Sequence, residues 1–347
     1  MSELHRATLQ NIADQAGVSK MTVSRVLRNQ PNCGKETRAR VQKIAKELNY
    51  KKHPLVSALM TDLRYKKESQ FKPIIALLHF DQHKEELHPN LKNMRRGIKE
   101  SASMQGYDLE EFYLDDSRMT PKRMLQVFNA RGIHAIIFEH SAIPNIELDI
   151  DLTGYACVAT KYSITHPVLH RIETSQFGSI LKSVEKLRAY GYKSFGLVLP
   201  GNSESISQFR RTGATLHAQR DFPDADRIPI FETKKLTPES IKQWLDTYKP
   251  EVVMSQVQEV YDVLVKLNYR IPEDIAYIHL GLSNRDRNIA GIDPNWTEMG
   301  RIAANQVIDQ LNRNKVGIPK HPIVTLVQGD WVDGATLPRR SQVAASY

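Results

Sequence analysis

The sequence predicts two architectures in one chain: an N-terminal all-α headpiece with a helix-turn-helix, and behind it a two-lobed α/β core with parallel sheets. Three observations carry this reading. Basic charge is concentrated at the N-terminus, the first fifty residues show helical apolar spacing interrupted at one glycine, and from Pro73 apolar runs alternate twice over with amphipathic stretches.

The headpiece comes first. Residues 1–70 hold fourteen Lys/Arg against six Asp/Glu, so most of the chain's net charge of +9 sits in its first fifth. A basic module ahead of a near-neutral remainder is the electrostatic footprint of a nucleic-acid binder. Thr8 is a good N-cap, and Leu9, Ile12, Ala13 and Ala16 follow at helical spacing. Gly17 ends that helix and Ser19 caps the next, whose buried stripe is Val23, Val26 and Leu27. A third helix turns Val41, Ile44, Ala45 and Leu48 inward and ends at Asn49-Tyr50; Gly34 ahead of it is a weak cap. Two short helices joined through a glycine and braced by a third form a helix-turn-helix, whose second helix presents its N-terminal side chains to base edges. Here those side chains are Lys20, Met21, Ser24 and Arg25.

The residues themselves add a resemblance. Thr8-Leu9-Gln10-Asn11-Ile12-Ala13, Ala16-Gly17-Val18-Ser19 and Thr22-Val23-Ser24-Arg25-Val26-Leu27 closely resemble the signature of the lactose-repressor (LacI/GalR) family. Glu36-Thr37-Arg38-Ala39-Arg40-Val41 and Glu47-Leu48-Asn49-Tyr50 continue it. The resemblance implies that Lys20 and Met21 are the variable residues that set operator sequence and that Arg25 reads bases beside them. An arginine can bond a guanine edge twice, whereas Met21 can only pack on something apolar such as a thymine methyl. Lys20 either reads a base or holds a phosphate. Thr8, Ser19 and Thr37 contact phosphates, cap helices, or both, and Thr22 and Ser24 complete the expected DNA-facing set.

Residues 51–72 read as a hinge helix and linker. The family's usual Pro-Asn is Lys52-His53 here and its Ala-Arg pair is Val56-Ser57, but Leu59 remains at the leucine position. Pro54 suits a first helical turn. By resemblance, Leu59 is a minor-groove wedge; the alternative is a linker helix that touches only its partner.

The core, 73–347, shows strand-like runs at 74–80, 109–114, 135–138 and 156–159, with helical stretches near 91–104 and 122–129. The pattern then restarts: helix 177–189, strand 195–199, helix 205–219, strand 228–231, helix 238–248, strand 252–255, a helix through Leu264 and strand 275–280. Such alternation implies parallel sheets with a ligand cleft at the strand ends. Arg96-Gly97-Ile98, the run 132–137, Gly191-Tyr192, the run 271–274 and Thr297-Glu298-Met299-Gly300 fit the family's periplasmic-binding-protein-like core. By that analogy the first lobe spans about 73–170 plus 292–325, and the second about 171–291 plus 326–340.

The resemblance marks Arg210 as a ligand-gripping arginine and Trp296 as a stacking aromatic. Gln256-Val257 stands where Asn-Asp is usual, Gly281-Leu282 replaces an Asp pair, and Thr174-Ser175 an Asp-Asn. Gln256 remains a candidate ligand contact. A pocket so changed suits monosaccharides poorly, which leaves a different ligand, a ligand-free regulator or a shifted alignment.

Other classes find less support. No strand leads into Gly-x-Gly-x-x-Gly or a P-loop, and there is no Gly-x-Ser-x-Gly elbow, so no enzyme is expected. His79, His83 and His88 lack Cys partners or a His-Glu-x-x-His frame, so neither metal nor cofactor is expected. A free solute-binding protein would need an export signal and have no use for a basic head, and a non-specific architectural binder would not need the varied face at Lys20, Met21 and Arg25. Cys33 and Cys157 lie in unlike contexts, no apolar run reaches membrane length, and the N-terminus shows no secretory signal. The expectation is a cytoplasmic, nucleoid-associated transcription regulator, a repressor in the family's usual mode. It would bind a near-palindromic double-stranded operator as a homodimer, with a small-molecule effector of unknown class.

Overall fold

The structure is a computed structural model that describes residues 9–27, 34–48, 50, 72–80, 89–114, 120–141, 143–201, 203–283 and 288–340. The chain divides into two units, 1–71 and 72–347.

In the first unit α1 (Leu9–Ala16), α2 (Lys20–Leu27) and α3 (Lys35–Glu47) enclose a small core of Ile12, Ala13, Ala16, Val23, Val26, Val41 and Ala45. Gly17 takes the left-handed conformation (φ 61°), which lets the Val18 N–H return to the Ala13 carbonyl and end α1 within one residue. The Ser19 hydroxyl accepts the Thr22 N–H at 3.1 Å, the expected cap of α2. Gly34 precedes α3 with no side-chain cap, also as the sequence suggests. Thr8 and the hinge segment with Leu59 lie outside the described residues.

The second unit contains two six-stranded sheets. The first is wholly parallel. It is built from β1 (Ile74–His79), β2 (Asp108–Tyr113), β3 (Ala135–Phe138), β5 (Ala156–Thr160), β7 (His170–Thr174) and β13 (Val324–Val327), in the order β13-β7-β5-β3-β1-β2. A small pair, β4 (Ile146–Glu147) with β6 (Ile164–His166), stands beside it. The second sheet is built from β8 (Phe195–Pro200), β9 (Phe231–Thr233), β10 (Val252–Ser255), β11 (Ala276–His279), β12 (Ala290–Asp293) and β14 (Asp330–Val332). Its order is β14-β12-β11-β10-β8-β9, and β14 alone is antiparallel.

Apolar side chains cover both faces of each sheet. On the first, α4 (Pro89–Met104) and α11 (Trp296–Asn312) pack on one side and α5 (Pro121–Arg131) on the other. On the second, α6 (Gln176–Ala189) and α8 (Arg210–Gln219) oppose α9 (Pro238–Tyr248) and α10 (Gln258–Lys266). The chain crosses between lobes after β7, after β12 and after β13, so the first lobe keeps Thr174 and Val327, a few residues beyond the expected crossings.

Two expected elements differ. The helix expected over 205–219 is broken into α7 (Ser203–Ser207) and α8, with Gln208 and Phe209 at φ 54° and 56°. The break wraps the chain around buried Glu204, which accepts hydrogen bonds from Ser207, Arg211 and Thr212. The strand expected over 228–231 forms only as β9, because Pro229 has no N–H and the Ile228 carbonyl is taken by the Gln219 amide.

Helices α4 and α11 meet backbone to backbone. A Cβ on Gly97 would lie 1.9 Å from the Thr297 carbonyl oxygen, and one on Gly300 2.0 Å from that of Met94. Only glycine permits this approach. Gly97→Ala is therefore expected to destabilise the core by about 3 kcal/mol. Urea unfolding followed by tryptophan fluorescence measures this in the core alone, because all three tryptophans (Trp244, Trp296, Trp331) lie there. An unchanged midpoint would show that the helices can part without cost.

Candidate functional site

Two sets of side chains can act on other molecules. The first lies on α2. Packing of Val23 and Val26 against the small core turns Lys20, Met21 and Arg25 outward, and Met21 is 64% exposed. A single exposed apolar side chain is ordinary on a protein surface; here it shares its face with two cations. Thr22 and Ser24 are half-buried at the edges of this face, and Ser19 is exposed but bonded into the cap, with its Oγ 2.9 Å from Thr22 Oγ1. Thr37 is half-buried in the first turn of α3.

The second set lies where the C-terminal ends of both parallel sheets face each other. Three bonds span the lobes here. Asn90 and Asn93, in the first turns of α4, donate to the carbonyls of Gly281 (3.5 Å) and Ser283 (3.0 Å). Arg210 Nη2 donates to the hydroxyl of Tyr162 at 2.5 Å. The guanidinium also stacks 4.3 Å from the Tyr162 ring, which Arg171 approaches at 4.6 Å. Arg210 is thus a cleft residue, whereas its neighbour Arg211 is fully buried and paired with Glu204 at 2.7 Å. Burial alone would raise the Glu204 pKa, but Arg211 and the Thr212 bonds outweigh it and hold the carboxyl ionised.

Trp296 and Gln256 also face this region. Trp296 opens α11, is buried, and its indole N–H has no acceptor among the described residues. Gln256 follows β10 and packs on Gly281, and its buried Oε1 has no donor among the described residues.

Sequence reasoning missed Lys161 and Tyr162, which follow β5. Lys161 is 6% exposed, takes a left-handed turn (φ 57°) and places its ammonium 4.5 Å from the Trp296 ring centroid. No carboxylate among the described residues comes within ion-pair distance of it. Burial pushes its pKa below the usual lysine value; Glu173 opposes the shift and Arg211 adds to it. A desolvated cation–π contact contributes about 2 kcal/mol, less than the several kcal/mol that burying an ammonium costs. The available signal was a lysine placed at the end of an apolar strand in a fold whose ligands bind at strand ends.

A third cluster is structural. Buried His79 lies 2.7 Å from Glu139 and 3.2 Å from Glu111, and Arg95 bonds both carboxylates. This engagement replaces any thought of His79 as a metal ligand; His83 and His88 lie outside the described residues. Burial opposes charge on the ring, but the two carboxylates outweigh it and raise its pKa above 6.5. Hydrogen bonding to His79 in turn holds Glu111 at about 2.

Two outcomes are expected. Ser19→Ala should destabilise the headpiece by about 1 kcal/mol through the lost cap, read by thermal melting in far-UV circular dichroism. Because the His79 pKa is raised on folding, its contribution is complete below pH 6.5 and lost as pH rises through the folded-state value. Core stability should fall across that window, and the fall should be smaller in His79→Gln; equal pH dependence of the two proteins would refute the assignment.

Comparison with known proteins bears on the headpiece and on the fold of the core. Residues 8–53 match the family described as bacterial regulatory proteins, lacI family. Over 318 residues the chain is 23% identical to the HTH-type transcriptional regulator MalR of Streptococcus pneumoniae, covering 89% of this chain and 94% of that one. Over 46 residues it is 54% identical to the HTH-type transcriptional regulator IdnR of Escherichia coli K12, covering 13% and 14% of the two chains. The structure of the lac repressor dimer bound to operator and an anti-inducer superposes with a TM-score of 0.55 at 16% identity, covering 96% of this chain and 99% of that one, which establishes a shared fold. The chain thus carries a headpiece that matches the lacI family of bacterial regulatory proteins at residues 8–53, in front of a core that shares the lac repressor fold.

Proposed function

We propose that the chain binds a near-palindromic operator as a homodimer, represses transcription there, and responds to a small molecule held between the lobes of its core. The observation that carries the reading is the outward face of α2, where Lys20, Met21 and Arg25 project together from a helix capped by Ser19. Arg25 reads a guanine edge, Met21 packs on a thymine methyl, and Lys20 reads an adjacent base or fixes the register through a phosphate. Ser19, Thr22, Ser24 and Thr37 support these contacts from the flanks, with Thr8 in the same role. Leu59 acts as the minor-groove wedge of the hinge.

Two-fold symmetry of a homodimer matches the symmetry of an inverted repeat. The lac repressor structure contains a dimer on its operator, which supports carrying that arrangement to this chain. For the core, polar atoms of Arg210, Trp296 and Gln256 that lack partners among the described residues support a ligand-binding role. A ligand can alter DNA affinity only by binding one conformation of the lobes better than another. Contacts across the cleft such as Arg210 to Tyr162 are where such a difference would arise.

Selection of bound duplexes from a random DNA library by the purified protein, at physiological salt, should recover an inverted repeat. Arg25→Ala should weaken binding to that repeat about 10- to 100-fold, leaving the sedimentation coefficient of the dimer unchanged. Recovery of no preferred sequence would overturn the proposal.

A further inference from the structure

The geometry points to an anionic small molecule, one carrying a carboxylate or a phosphate, as the ligand of the interlobe cleft, with Lys161 as the side chain that selects for its negative charge. The inference rests on the reading of the cleft as an effector site.

Two buried N–H donors near the turn that ends β5, Arg210 Nη1 and Trp296 Nε1, lack acceptors among the described residues, and the Lys161 ammonium lies beside them over the Trp296 ring. Lys161 lies against the Trp296 ring, while its neighbour Tyr162 holds Arg210 from the opposite lobe, so the donors come from both sides of the cleft. The left-handed turn at Lys161 directs the chain so that consecutive side chains serve both contacts.

Carboxylates, the acceptors that bind vicinal hydroxyls most strongly, are missing at three strand ends, where the Gln256 amide oxygen is the acceptor left without a donor among the described residues. At the ends of β7, β10 and β11 stand Thr174-Ser175, Gln256-Val257 and Gly281-Leu282, none of them a carboxylate. Carboxylates near the other strand ends are turned to protein partners. Glu139 serves Arg95 and His79, Glu173 accepts from the N–H and hydroxyl of Thr174, and Asp293 accepts the Asn295 N–H. Arg211 is matched by Glu204, and Arg171 spends its guanidinium on the carbonyls of Lys161 and Ile164. Glu173 offsets part of the Lys161 charge through space and Arg210 bonds only the neutral oxygens of Tyr162 and Gln208, so neither cation has a carboxylate in ion-pair reach among the described residues. A carboxylate or phosphate oxygen is the acceptor that such donors bind most strongly.

The test uses the full-length protein and three anions, D-gluconate, D-glucose 6-phosphate and inorganic phosphate, each against D-glucose at matched ionic strength. At least one anion should raise the melting temperature of the core and bind measurably by calorimetry, and D-glucose should do neither. Whether the gluconate or the phosphates bind distinguishes the two anionic groups. Lys161→Met should weaken the binding anion at least 30-fold, and Lys161→Arg should retain most of its affinity. Without ligand, Lys161→Met should melt no lower than the parent, because an uncompensated buried charge has been removed; this separates lost binding from lost folding. The proposal fails if no anion binds at 20 mM, if D-glucose binds as well as the anions, or if binding survives Lys161→Met. Binding of D-glucose that is lost in Trp296→Ala would defeat the charge assignment and leave the cleft reading standing.

Discussion

The core depends on the close approach of α4 and α11. Because Gly97 and Gly300 carry no side chain, the two backbones touch, and the middle of α4 is fixed against the first turns of α11. That contact places Asn90 and Asn93 of α4 against the loop after β11, and sets Trp296 at the head of α11 beneath the Lys161 ammonium. Both helices begin at the strand ends where the lobes face each other, so the packing that builds the first lobe also assembles the cleft. A conformational change between lobes must preserve this pair of helices or break a backbone contact that has no softer alternative.

The headpiece follows a simpler logic. Its core is small, and local devices fix its shape: the left-handed Gly17 ends one helix and Ser19 starts the next. These devices are encoded within a few residues of where they act, so they are legible in a sequence. The same holds for Met21 and Arg25, whose outward direction follows from the inward stripe of Val23 and Val26. Helix 238–248 and strands 135–138 and 252–255 were legible for the same reason, with apolar periodicity bounded by Pro, Gly or a polar cap.

What was hidden depends on contacts between distant residues. Strand β7, His170–Thr174, is polar in composition, yet four of its five residues are buried because Arg171 and Glu173 satisfy backbone groups inside the lobe. Strands β12, β13 and β14 are short and acquire their identity only from the sheets they join. The break between α7 and α8 follows from a buried carboxylate that no periodicity reveals. Lys161 could not be distinguished from a surface lysine by its neighbours in sequence; only the packing of Trp296 over it shows that its charge is buried. The cleft residues that were legible, Arg210, Trp296 and Gln256, came from resemblance to a family, and the structure gives them physical surroundings.

Base reading by the headpiece is the proposal on which regulation at an operator depends. Its most direct test is the ratio of affinities for the selected inverted repeat and for a scrambled duplex of the same composition, measured by fluorescence anisotropy at physiological salt. Phosphate contacts contribute equally to both duplexes, so the ratio isolates base reading. A ratio of about 1,000 or more is predicted for a specific regulator. A ratio near one would mean that the basic charge of the headpiece serves attachment alone, and would contradict the account.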